Sequence, residues 1–249
     1  MLKYLLWAGP AMTMMSVLGV HAANAVMRPA AYVEAPPSIS RAIVDPAIGE
    51  PFAAAMVFTA AAILAGVVVV FLIHARCWRS SGQNAPIRLH VFLVAELVAV
   101  AGILILSQYR TPEWQLWHNA GSYMLFFGHA IGVLIAGHLA RDFAQKPGQV
   151  TPAAGTHNEV PAALPPGFGN LPHYANTIFA SALLFGLLYF GGRFAPDSWF
   201  FWQRLALAVW EIVVLGMFVG FLAFHSSLLL PGSSGLQTIP LNNQQTPQR

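Results

Sequence analysis

Six predominantly apolar stretches, each close to the length of a membrane-crossing helix, constrain this chain more than any other feature. They lie at roughly 4–22, 52–74, 89–107, 117–140, 174–192 and 200–229. A helix needs ~20 such residues to cross the hydrocarbon core, and the last stretch is long enough to tilt or to run on past it. Only 8% of the 249 residues are charged, against about a quarter in a soluble domain, and mean hydropathy is +0.61. So few charges cannot cover a globule, which argues against a soluble enzyme and against a disordered chain. The expected fold is all-α, a polytopic transmembrane helix bundle formed as one domain by residues 1–230. The tail at 231–249 is polar and Gln/Asn-rich, a composition too poor in apolar side chains to join a core.

Between the spans, proline is dense. The first connection holds Pro29, Pro36, Pro37, Pro46 and Pro51, and the longest, from Arg141 to Pro172, holds Pro147, Pro152, Pro161, Pro165 and Pro166. Extended or irregular loops are expected there, because proline removes a backbone donor and breaks helices. Basic residues near helix ends set orientation. With both termini cytoplasmic the inner side holds Lys3, Arg76, Arg79, Arg88, Arg141 and Lys146, and the outer side Arg28, Arg41, Arg110 and Arg193. A multi-pass protein of the cell membrane with both termini inside is therefore expected. Lys3, the apolar run and Ala23-Asn24-Ala25 also resemble a secretory signal. Cleavage would leave five spans; retention as a sixth is the preferred reading.

Ionisable groups within a span cost roughly 2.5–3.5 kcal/mol each to insert, so they are the first candidates for a site. Glu96, His129 and Glu211 fall near the middles of the third, fourth and sixth spans. In a compact bundle they can meet as a buried polar cluster, with His118 on the same face of the fourth span as His129, eleven residues away. A proton-bearing or ligand-binding site is one reading. The other is that each group is hydrogen-bonded to a neighbouring helix and fixes packing. Gly128 and Gly132 form a GxxxG step continued by Ala136, a small stripe that lets another helix come close. On the sixth span Arg204, Glu211 and His225 share a narrow stripe, expected to be a polar seam rather than a direct ion pair.

His74, His90, His138 and His225 lie near the inner ends of four spans. Facing imidazoles can ligate haem b, although only the fourth span carries the paired histidines that a two-haem bundle would use. No metal site is otherwise expected: Cys77 is the sole cysteine, which leaves no cysteine-based zinc site and no intrachain disulfide. Phosphate loops, zinc-protease pairs and nucleophile elbows are absent. Scattered basic residues and a net charge of +3 argue against nucleic acid as a partner. Trp7, Trp78, Trp114, Trp117, Trp199 and Trp202 cluster at helix ends, as in an interfacial belt.

The order of several short motifs resembles the damage-regulated autophagy modulator family, the DRAM/Frag/Sfk-type six-helix membrane proteins. A Pro-containing segment with an acidic residue enters the second span at Gly49-Glu50-Pro51, and Ser107-Gln108-Tyr109 resembles the family's turn after the third. His118, Ala120 and Gly121 match the opening of its fourth. Trp210-Glu211, followed by Phe218, Phe221 and Phe224, is similar to the family's last helix with the Glu-Trp order reversed. The resemblance runs along nearly the whole chain; the long inner loop and the histidines at the inner ends depart from it. It implies a non-enzymatic protein that organises membrane lipids or recruits partners, as members linked to phosphoinositide-kinase recruitment, lipid asymmetry and autophagy do.

Three functions follow as expectations. The leading one is a non-catalytic membrane protein that contacts lipids or acts as an accessory subunit beside other membrane proteins. A haem- or quinone-handling electron-transfer subunit is the second. The third is a small proton-coupled transporter lined by Glu96, His129 and Glu211.

Overall fold

The computed structural model describes residues 2–30, 37–80, 84–109, 113–144, 170–194 and 196–229. All regular structure among them is helical. Six helices are long and apolar enough to cross a membrane: α1 (Leu2–Met27), α3 (Pro46–Ser80), α4 (Ile87–Gln108), α5 (Gln115–Ala144), α6 (Leu171–Gly191) and α7 (Phe200–Leu229). A four-residue helix, α2 (Ile39–Ala42), lies between α1 and α3. The chain is thus a multi-pass α-helical bundle. Most of the long Pro-rich loop and the polar tail lie outside the described residues.

The six long helices close into a ring, in which α1 packs on α3 and α7, and the circuit continues through α4, α5 and α6. Consecutive spans run antiparallel. Gly9 of α1 meets Ile63 of α3 while Gly66 meets Leu5; Phe126 of α5 stacks on Phe185 of α6 while Tyr123 reaches Phe190. We call the two ends of the ring the α2 end and the terminal end.

α3 starts six residues earlier than hydropathy alone suggests, and the cause is local. Asp45 Oδ1 accepts the Ala47 N–H at 3.0 Å, which caps one of the first-turn donors that lack an intrahelical partner. Pro46 then occupies the first helical position, where no N–H is needed.

The first connection departs further from expectation. Its described residues from Pro37 on are not irregular but carry α2 and turn back into the ring. Pro37, Ile39, Ala42 and Ile43 are buried, and α2 sits among α1, α5 and α7. The aromatic belt is also incomplete: Trp7, Trp114, Trp117, Trp199 and Trp202 are exposed, whereas Trp78 is buried in the bundle.

α4 and α5 approach most closely through small residues. A Cβ added at Gly128 would stand 2.8 Å from both the Ala95 carbonyl oxygen and the Ala99 nitrogen, and one added at Gly102 would meet the backbone of Gly121 and Leu125. Gly132 faces the Glu96 side chain. Gly128→Leu should therefore separate two backbones and lower stability by about 1–3 kcal/mol. Gly19→Leu is the control, because no heavy atom lies within 4 Å of a Cβ added there. Thermal unfolding in detergent should show a lowered Tm for the first and not the second; equal values would remove this contact from the account.

Candidate functional site

Glu96, His129, Glu211 and His118 are all buried. The structure brings them together as two pairs of contacts rather than as one hydrogen-bonded knot. Glu96 comes from the middle of α4 and His129 from α5, and His129 Nδ1 lies 2.6 Å from Glu96 Oε2, the short distance of a charge-assisted bond. The Gly128–Gly132 step makes this possible by removing the side chains that would hold α5 away. Glu96 is fully enclosed, and its Oε1 has no hydrogen-bond partner among the described residues. The edge of His129 meets Phe218 of α7, with ring centroids 4.7 Å apart at 80°.

Glu211 and His118 turn instead toward α2. The first N–H groups of a helix have no partner within it, and Ser38 makes no side-chain cap. Glu211 Oε2 fills that role from α7, accepting the Ile39 N–H at 2.9 Å. At the other end, Asn24 of α1 donates from Nδ2 to the Ala42 carbonyl at 3.0 Å. His118 Nδ1 lies 3.0 Å from the Tyr109 carbonyl and Nε2 lies 2.8 Å from Ser40 Oγ. Because a carbonyl only accepts, Nδ1 donates, and the neutral ring leaves Nε2 to accept from the Ser40 hydroxyl. Side chains from three spans thus satisfy the re-entrant turn. On the surface, Arg28 and Asp45 add an ion pair at 2.6 Å.

Two cavities flank α2. An interior one of about 70 Å³ reaches from Ser40 and His118 past Thr13 and Thr59 to His129 and Glu211. This volume is enough for more than one water, and the polar groups on its wall suit one. A larger cavity of about 440 Å³ lies at the α2 end among α2, α5, α6 and α7. Ser40, His118, Ser122, Phe126 and Glu211 border both.

The larger cavity is amphipathic. Arg41, Arg204, Gln203, Gln115 and Asn119 line it together with Phe126, Phe127, Phe185, Phe190 and Leu207. Phe127, Phe190 and Phe200 line it and are exposed. Arg204 does not pair with Glu211; its guanidinium lies 4.5 Å over the Phe200 ring. Partial burial pulls the Arg41 guanidinium below its ordinary value, and Tyr189 opposes that shift. Arg41 entered the sequence reading only as a charge that sets orientation; nothing in a Pro-rich loop signals that it turns back to line a cavity.

Of the four histidines expected near the inner helix ends, two face each other. The facing pair joins two spans: His74 of α3 and His225 of α7 are both buried, with Nε2 atoms 3.4 Å apart and ring centroids 5.4 Å apart. His118 and His129, the pair on one span, are engaged by Tyr109, Ser40 and Glu96. His90 is exposed and lies edge-on to Phe71. Among the described residues, no group of three or more His, Cys, Asp or Glu side chains is placed to hold a metal ion.

No family model matches the chain, and no curated protein or solved structure is significantly similar to it.

Capping of α2 by Glu211 makes a directional prediction. Glu211→Leu leaves the buried Ile39 N–H without an acceptor and should cost about 1–3 kcal/mol. Glu211→Gln keeps a carbonyl oxygen at that place and should retain most of the stability. Hydrogen–deuterium exchange over residues 38–45 is the readout: it should rise in the Leu variant and stay near wild type in the Gln variant.

Proposed function

We propose that this is a non-enzymatic cell-membrane protein that holds a lipid in the cavity at its α2 end. The carrying observation is that cavity: about 440 Å³, within the usual size range of ligand sites, and lined by arginine and amide side chains as well as by aromatic ones. A lipid combines the same two chemistries in its polar head and apolar body. The resemblance to the DRAM/Frag/Sfk-type proteins, in which lipids are organised rather than transformed, supports the same reading.

In this reading the α2 end faces outward. Arg76, Arg79, Arg88 and Arg141 lie toward the terminal end, which the positive-inside rule assigns to the cytoplasm. In a chain with Cys77→Ala, Gln115→Cys should react with an impermeant maleimide applied to intact cells. Arg79→Cys should react only after permeabilisation. The reverse pattern would invert the proposed orientation.

Lipid occupancy has its own test. Gly186 lines the cavity, and no heavy atom lies within 4 Å of a Cβ added there. Gly186→Phe should therefore fill the space without displacing the bundle. Chain purified in mild detergent should carry lipid detectable by mass spectrometry, and the variant should carry several-fold less at an unchanged Tm. Equal lipid content in both would sink the proposal.

The Glu96–His129 contact favours a second reading, proton-coupled transport, because His129 borders the interior cavity and a carboxylate–imidazole pair can exchange a proton. Proton flux into liposomes that is lost in Glu96→Gln would support it over the first.

A further inference from the structure

The lipid-holding reading leaves open what kind of head group the cavity takes, and its charge answers that. We infer that the α2-end cavity is a binding site for a phospholipid with a net negative head group, whose phosphate lies between Arg41 and Arg204. The inference rests on the lipid-holding reading and adds selection by charge.

Among the described residues, the side-chain carboxylates within ion-pair distance of a base go to Arg28, Arg88 and His129. Neither Arg41 nor Arg204 has one. Arg204 belongs to the first turns of a membrane-spanning helix and lines a cavity rather than extending into bulk water. A cation there interacts more strongly with an anion than it would on a solvated surface. Its place over Phe200 orients the guanidinium plane, and guanidinium is the side chain best matched to phosphate oxygens, which it can engage with two parallel N–H donors.

Among the described residues, Glu211 is the one carboxylate on the cavity wall. Two guanidinium groups against one carboxylate leave a net charge of at least +1, whichever protonation state Glu211 adopts. Glu211 also lies seven residues along α7 from Arg204, a rise of about 10 Å, with Oε2 turned to the Ile39 N–H. Arg204 therefore lies about two turns nearer the mouth than Glu211, whose Oε2 is held by the α2 backbone. A phosphate diester fits the mouth, and a head group with a compensating quaternary ammonium adds a positive charge beside two arginines. Phe126, Phe127 and Phe185 of the cavity wall then take the first part of the acyl chain.

Native mass spectrometry of the full chain tests this, with equimolar dioleoyl phosphatidylglycerol and dioleoyl phosphatidylcholine, which share their acyl chains. Wild type should bind the first about 10-fold more than the second, the factor that a single charge-assisted contact supplies. R41Q/R204Q should bind both alike. If that variant does not fold, R41K/R204K keeps the charge and loses the two-pronged donors, and its preference should fall several-fold; an unchanged preference overturns the role of the guanidinium groups. Equal binding of the two lipids by wild type overturns charge selection and leaves lipid holding intact. Binding of neither overturns both. Displacement of phosphatidylglycerol by equimolar inorganic phosphate would mark a free-anion site and overturn the lipid assignment.

Discussion

The contact between the backbones of α4 and α5 is the constraint on which the rest of the bundle depends. Inside a membrane no hydrophobic force draws helices together, so close packing and interhelical hydrogen bonds must do it. Gly102, Gly121 and Gly128 bring the two backbones together, and that approach places Glu96 against His129. Neither feature works alone. Without the glycines the carboxylate would have no imidazole within reach, and without the pair the face would enclose an unpaired acid at the depth where it is most costly.

The same requirement explains the re-entrant turn. A four-residue helix packed among longer helices has polar backbone groups at both ends that lack partners within it. Each must find a partner or lose about 1–3 kcal/mol. Glu211 accepts the Ile39 N–H and Asn24 donates to the Ala42 carbonyl, while His118 pairs with the Ser40 hydroxyl. Glu211, a mid-span residue that looks like chemistry in the sequence, thus acts at least in part as a cap. α2 in turn walls the interior cavity from the outer one, so the capping contacts also define the two spaces on which the functional proposals rest.

Glu211 therefore sits in two arguments. As a hydrogen-bond acceptor it holds α2, and as a wall residue it sets the polarity of both cavities. The outer cavity inherits cations from a loop and from the first turns of α7, while α5 and α6 give it an aromatic wall. This mixture of guanidinium and aromatic side chains makes it better suited to an amphiphile than to a small soluble solute.

Membrane class and the number of spans were legible in the sequence, because both follow from composition and from runs of apolar residues long enough to cross the hydrocarbon. The burial of Glu96, His129 and Glu211 was legible for the same reason: an ionisable group in a span is too costly to face lipid. The small-residue stripe at Gly128 and Gly132 signalled close packing, though not against which helix. The earlier start of α3 at Asp45-Pro46 could have been read from its cap and proline, but hydropathy alone places the boundary later. What remained was decided by the tertiary structure. Periodicity gives the face of a helix and not its neighbour, so the pairing of Glu96 with His129 and of His74 with His225 depended on the order of helices around the ring. Nor could proline content reveal that the first connection turns inward, because its stability comes from Glu211, Asn24 and His118, distant in sequence. Arg41 and Arg204 became cavity residues by that turn alone, since no local pattern brings a loop cation beside a helix 163 residues further along the chain.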